Sequence, residues 1–409
     1  MVTDIRKDPS APLSDAPDPW AGSSTPSPRS GPPWHMTEMI EAEPALARRI
    51  LGRHAMPDGP PARLAATIRR VAAAGGSIRV VGCGTSEHAA LGSADILRDA
   101  LRAAGSFAGP ALPLAIQAFE FALEPPDVGL FDGGLVDGGL VIGVSHEGGT
   151  WATNLALEAA RAAGATTALL TVGDRSPGAA LVDIVVATGE MDESWCHTIG
   201  YVSPLLAATA VGAHVSGNPV SIDDVGAVMA AGMARAAAAE AIAAALRQVA
   251  GIVVIGSGAD RTAGRELVLK IEEATWLPSS YRDLETMLHG HLPATDTTTG
   301  LILILADRAG RDRRVERARE LLEAAAVIGI RSAAILAEDA SAAIDDRLTP
   351  AGRIVVPEAP TLPSSVAALL GTAIPLQLLS ERLATARGTN PDPIRRDDAT
   401  YREAADRAR

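Results

Sequence analysis

Apolar runs of four to six residues alternate with longer amphipathic stretches through most of the chain. IRVVG, LVIGV, ALLTV and DIVVA in the first half, and GIVVIG, LILIL and SAAIL in the second, are bounded by glycine or polar turns. Between them lie helical segments of ten or more residues, such as TNLALEAARAAG and RRVERARELLEAAAVIG, whose small apolar side chains recur at three- and four-residue spacing. Strands apolar at consecutive positions are covered on both faces, and the segments between them are long enough for crossovers. The pattern predicts an α/β protein of two three-layer αβα domains, each with a mainly parallel central sheet.

The pattern also repeats. IRVVGCGTSEHAALGSADILRDAL places a strand, a glycine turn and a helix in succession, and GIVVIGSGADRTAGRELVLKIEEA does so again 174 positions later, from Gly82 to Gly256. Two such units are too few for a solenoid and predict one body of paired halves. Residues 1–33 are rich in Pro, Ser, Asp and Gly and read as a disordered tail in which Trp20 is a candidate anchor. An N-terminal helical segment follows at 34–60, broken near Pro44. The first domain, with its linker helix, is expected at 61–233, the second at 234–385, and a C-terminal tail at 386–409.

Composition narrows the function classes. The 409 residues are 47% hydrophobic but only 3% aromatic, which suits small-side-chain helices on parallel sheets. A net charge of −13, without a dense basic run, argues against nucleic-acid binding. Cys83 and Cys196 are too few for a disulfide framework and lack zinc spacing, so no metal is expected. Polar residues interrupt the apolar stretches, including the Ala-rich 232–250, so no membrane partner is expected. The N-terminus has no apolar signal core, and a cytoplasmic location is the expectation.

The candidate chemistry begins with lysine. Of 36 basic residues only Lys7 and Lys270 are lysines. Lysine, unlike arginine, can be tuned to exchange protons, and in ELVLKIEE the residues Glu266, Lys270 and Glu273 fall on one helical face. An ion-pair ladder would have the same spacing. Ligands of parallel sheets gather beyond the carboxyl ends of strands. There the chain offers Cys83, Gly84, Thr85 and Ser86 after IRVV, then Ser145, His146, Glu147 and Thr150 in VSHEGGT. Neither glycine turn completes a dinucleotide or P-loop fingerprint, which disfavours a nucleotide oxidoreductase; the loops suit an anion or a sugar. GEMDESWCHTIG adds Glu193, Ser194, His197 and Thr198, and its crowded Asp, Glu, Cys and His also invite a metal reading. His289 and His291 flank a glycine turn where one imidazole could exchange a proton with a sugar oxygen.

The ordered set GCGTS, SHEGGT, ELVLKIEE, the HG turn and RGTNPD resembles the sugar isomerase (SIS) superfamily over about 36–396. The similarity is to the double-domain isomerase part of glutamine–fructose-6-phosphate aminotransferase and to related amino-sugar-phosphate isomerases and deaminases. The resemblance implies that Glu273 transfers a proton between the sugar's first two carbons and that His289, sixteen residues on, assists ring opening. It places Glu266 and Lys270 around the open-chain sugar, and Thr85, Ser86, Ser145 and Thr150 around a phosphate. Two departures stand out: Glu147 where another serine is common, and Ala399 where the aminotransferase has a tail lysine. No glutaminase nucleophile precedes the body, so glutamine hydrolysis is not expected. The expectation is an aldose–ketose or amino-sugar isomerase or deaminase, without a cofactor, working as a homodimer on a sugar or amino-sugar phosphate. A non-catalytic sugar-phosphate-binding regulator is the alternative.

Overall fold

The computed structural model of the chain describes residues 8–14, 26–105, 112–123 and 138–408. The first half opens with helices α1 (His35–Leu46) and α2 (Pro60–Ala73). It continues through β1 (Ile78–Gly82), α3 (Thr85–Ala103), β2 (Leu114–Gln117), α4 (Ala118–Leu123), β3 (Leu140–Val144), α5 (Trp151–Ala162), β4 (Thr166–Thr171), β5 (Ile184–Ala187) and α6 (Ile199–Ser216). Helices α7 (Ile222–Met233) and α8 (Ala236–Leu246) lead to the second half. That half contains β6 (Gly251–Gly256), α9 (Asp260–Thr275), β7 (Ser279–Asp283), the single turn α10 (Leu284–Thr286), β8 (Thr299–Leu305), α11 (Arg311–Ile328), β9 (Arg331–Ala337), α12 (Glu338–Ala343) and β10 (Gly352–Val356). The chain closes with α13 (Ser364–Arg387) and α14 (Ala399–Arg407).

Each half holds a five-stranded sheet in which every pairing is parallel, ordered β2-β1-β3-β4-β5 in the first and β10-β9-β8-β6-β7 in the second. Read from β7, the second order repeats the first, so the sequence echo is a duplication of one topology. The expected pair of αβα sheets is what forms. In each sheet the strand order reverses between the first and third strands, and the crevice beyond their carboxyl ends is where such folds receive ligands. In the first half this brings together the turns after β1 and β3.

Two long helices join the halves. α13 packs on α7, α8 and α9, while α3 packs on both α6 and α9. α6 and α13 are long and apolar enough to cross a membrane, yet 83% and 94% of those apolar windows are buried inside the protein. Their residues Leu205, Leu206, Leu369, Leu370 and Ile374 are fully buried, each contributing roughly 2 kcal/mol. A helix apolar all round is a core helix when other elements surround it.

The N-terminal region departs from the sequence reading in detail. α1 runs through Pro44 and then loosens into a π turn at Ala47–Leu51, so the helix is not broken at the proline. Of residues 1–33, Trp20 lies outside the described residues. The stretches on either side touch the body: the Leu13 amide donates to Glu190, Arg49 reaches the Ser10 carbonyl, and Arg29 pairs with Glu38 at 2.7 Å.

Candidate functional site

The site begins where β1 stops. A Cβ on Gly82 would lie 2.4 Å from the Ser86 carbonyl oxygen, so only glycine lets the strand turn so tightly into α3. Gly84 at the head of α3 has a φ of 57°, in the left-handed region that glycine tolerates. The turn delivers Thr85 and Ser86, both buried, to the first turn of α3. Cys83 beside them is half-buried, and burial raises its thiol pKa.

Across from this turn stands the middle of α9, with Glu266 facing it. Lys270 is fully buried, with its Nζ 2.5 Å from Glu273 and 3.6 Å from Glu266. Burial alone would depress its pKa, but the two carboxylates outweigh burial and raise it well above the ordinary lysine value. Lys270 is therefore a fixed cation and not a proton exchanger at neutral pH. Burial likewise pushes Glu266 up, and Lys270 with His88 overcomes this to hold it below its usual value. His88 Nδ1 is 2.7 Å from Glu266, and Thr85 Oγ1 approaches the same carboxylate at 3.5 Å. Glu273 keeps about a fifth of its side chain exposed, so the carboxylate at the end of the triad faces outward.

The β3 turn supplies a second wall. Ser145 Oγ donates to Thr150 Oγ1 at 3.2 Å, with Thr150 heading α5 and Glu147 half-buried between them. His146 points inward. Its Nε2 accepts the Asp192 amide at 2.9 Å, and burial drives its pKa down to about 3, so it is a neutral ring. That ring is tilted by 55° against the His197 ring, with centroids 5.3 Å apart. Asp192 holds the 192–200 loop closed by accepting the amides of Ser194, Thr198 and Gly200. Its Oδ2 also lies 3.8 Å from His197 Nδ1. His146, Asp192 and His197 bring ligand-type atoms within 4.8 Å of one another. His146 Nε2 and both Asp192 oxygens are engaged with amides, while the buried Nδ1 atoms of His146 and His197 have no hydrogen-bond partner. Ser194 Oγ accepts the Cys196 amide, and Glu193 faces His35 at 3.6 Å.

His289 lies elsewhere. The turn Met287–His291 follows β7, where His289 is largely exposed and bonds Glu285 at 2.7 Å, with Arg317 on the far side of that carboxylate. α9 runs back from the end of β6, so Glu273 sits roughly 20 Å along the helix, towards the start of β7, whereas His289 comes after its end. One chain does not bring His289 to the Lys270 cluster. His88 and Asp192 went unnoticed in the sequence; an S-E-H run one turn into a helix was the only local signal for the first.

The second glycine turn has the same backbone and a different filling. Asp260 accepts the amides of Ala306 and Asp307, and Asp307 accepts the Ala259 amide while pairing with Arg314 at 2.9 Å. The chain's own carboxylates occupy the place an incoming anion would take. A cavity of about 490 Å³ opens beside this turn, and its charges Asp95 with Arg98, and Arg261 with Asp283, pair with each other.

No protein-family model matches the sequence, and no curated protein matches it. Solved structures do match. The C-terminal domain of glucosamine-fructose-6-phosphate aminotransferase from Francisella tularensis superposes with a TM-score of 0.73 at 16% identity, over 90% of this chain and 99% of that one. Tagatose-6-phosphate ketose/aldose isomerase from Escherichia coli gives 0.68 at 19%, over 90% and 97%. Glucosamine-6-phosphate deaminase from Thermotoga maritima gives 0.60 at 19%, over 77% and 87%. The chain has the double sugar-isomerase (SIS) fold.

Proposed function

We propose that this double-SIS chain is a sugar or amino-sugar phosphate isomerase, or a deaminase of the same substrates, acting by proton transfer through an enediol or enolamine. The observation that carries the reading is the Glu266–Lys270–Glu273 triad, whose buried Glu266 meets Thr85 and His88 of the first glycine turn and its helix. Glu273 is the partly exposed carboxylate that removes and returns a carbon-bound proton. Lys270, held charged, stabilises the oxyanion that develops beside it, a fixed cation in a dry setting being most effective there. Thr85, Ser86, Ser145 and Thr150 hold the far end of the sugar. His289 assists ring opening from a second copy of the chain, since its own Glu273 is at the other end of the sheet. The three similar structures, named for an aminotransferase, a ketose/aldose isomerase and a deaminase of sugar phosphates, support the same class. No redox cofactor enters the scheme.

Glu147 and Ala399 favour one rival, a regulator that binds a sugar phosphate without chemistry. Deuterium exchange at C1 of fructose 6-phosphate and at C2 of glucosamine 6-phosphate, followed by NMR, separates the two. Wild type is expected to exchange and Glu273→Gln to lose exchange by about a hundredfold or more. Binding of either sugar without exchange establishes the regulator instead.

A further inference from the structure

The duplication leaves a second crevice that the proposed chemistry does not use. It opens beyond the carboxyl ends of β6 and β8, and α3 of the first half forms its other wall. Asp99 on that helix stands 174 positions before Glu273, the interval that also separates Gly82 from Gly256. Each half thus lends a helix to the crevice of the other. The cavity of about 490 Å³ falls within the roughly 300–1,000 Å³ usual for small-molecule sites. Although the whole chain carries −13, five arginines and four aspartates line this cavity. Arg98, Arg102, Arg261 and Arg314 each pair with one of those aspartates, at 2.5, 3.6, 2.8 and 2.9 Å. Arg265 is left over. Its half-buried guanidinium lies over the Tyr281 ring, 5.4 Å from the centroid, with no carboxylate partner among the described residues. Ser365 also lines the cavity. It is only 3% exposed, yet its Oγ has no hydrogen-bond partner, while its amide donates to Asp99 at 3.2 Å.

The wall chemistry selects the ligand class. A guanidinium that has spent one or two N–H groups on an aspartate keeps others free, and the carboxylate keeps unused lone pairs. Such walls suit groups that donate and accept at once, as a hydroxyl does. The surplus guanidinium adds a demand for one anionic group, which a phosphate or a carboxylate meets in bidentate fashion. At the glycine turn the place of an anion is taken by Asp260 and Asp307, so the free positive charge stands further along α9, at Arg265. We propose that this cavity is a second binding site, for a small polyol bearing one anionic group, either a phosphorylated sugar or a sugar acid. Arg265 holds the anionic group and Ser365 meets a hydroxyl. The site is distinct from the triad, although the two share a helix: Arg265 lines this cavity, and the next residue, Glu266, meets Thr85 of the first turn.

The test uses the full chain with ¹³C-labelled leucine methyl groups. Leu91 and Leu114 line this cavity, and their resonances are identified by their loss in Leu91→Met and Leu114→Met. Fructose 6-phosphate, gluconate, uncharged fructose and inorganic phosphate are titrated separately. Fructose 6-phosphate, gluconate or both should shift the two leucines saturably, with fructose binding about tenfold more weakly or worse. Arg265→Gln should weaken the response by about tenfold or more, because the charged partner of the anion is gone. Ser365→Ala should weaken it several-fold and serves as the second variant. A response to fructose 6-phosphate alone assigns a phosphorylated sugar, and a response to gluconate alone a sugar acid. Inorganic phosphate binding as tightly as fructose 6-phosphate overturns the proposal, since the polyol would then contribute nothing. Shifts that persist in full in Arg265→Gln originate in the first crevice and overturn it too, as does silence towards both charged polyols. Deuterium exchange on the sugars reports the triad independently, so failure of either reading leaves the other standing.

Discussion

At the scale of single residues, the outcome turns on what surrounds Lys270. A lysine with no exposure would lose its charge if burial acted alone; with Glu266 and Glu273 at 3.6 and 2.5 Å it keeps it. The same logic makes the cluster fragile. Lys270→Met leaves Glu266, also fully buried, without its cation and with the His88 hydrogen bond as its closest remaining contact, and should cost about 3 kcal/mol of stability. Adding Glu266→Gln should recover much of that loss, because a neutral amide in the same place needs no cation. Urea unfolding of both variants decides it; an additive double mutant would mean that the two side chains are not coupled. The face shared by Glu266, Lys270 and Glu273 was legible from their spacing, since a helix fixes which positions align. His88 was not, because its partner lies 178 residues away and no local rule links them.

At the scale of elements, the two glycine turns show how far a repeated pattern carries. Gly82 and Gly256 each sit where a Cβ would lie 2.4 Å from the carbonyl oxygen four residues on, so the strand-to-helix geometry is the same in both halves. The turn's second glycine differs in kind: a Cβ on Gly84 meets nothing, whereas one on Gly258 would strike Arg314 and Asp307. Two substitutions separate a packing requirement from a conformational one. Gly84→Ala should cost about 1 kcal/mol, the penalty of a left-handed φ, with the fold retained. Gly82→Ala should cost several times more and displace Thr85 and Ser86, because backbone cannot yield as a flexible side chain can. Equal losses in thermal unfolding would refute the distinction. The helix through Pro44 belongs here too. Proline biases a chain against continuing a helix, but α1 is held by the Asp392 carboxylate accepting the amides of His35 and Met36, a contact from the opposite terminus.

At the scale of the whole molecule, the duplication produces two crevices with different contents. In the first, α9 of the second half lends its triad to the turn of the first; in the second, Asp260 and Asp307 fill the turn themselves. The separation of His289 from Glu273 gives the corresponding prediction for assembly. If a second copy completes each site, Glu273→Gln and His289→Asn chains, each inactive alone, should regain about a quarter of the wild-type rate after subunits are mixed and exchanged. The mixed dimer then has one site with both defects and one with neither. No recovery after verified exchange would show that His289 serves no partner's site.

The sequence by itself determined seven of the ten described strands, the crossovers between them, the duplicated strand-turn-helix unit and the presence of one charged helical face, because these depend on periodicity and on turn chemistry within a few residues; the short or polar strands β2, β7 and β10 carry no such apolar signal. It also marked the turns after β1 and β3 as the ligand crevice, since parallel α/β sheets receive ligands there. Only the tertiary structure decided that α9 meets the first of those turns through Glu266, that Lys270 stays charged, that Asp192 closes the loop before α6, and that His289 stands apart. Those outcomes depend on which side chains exclude water from one another across the packing of the two halves, and burial and distance of that kind have no counterpart in local sequence.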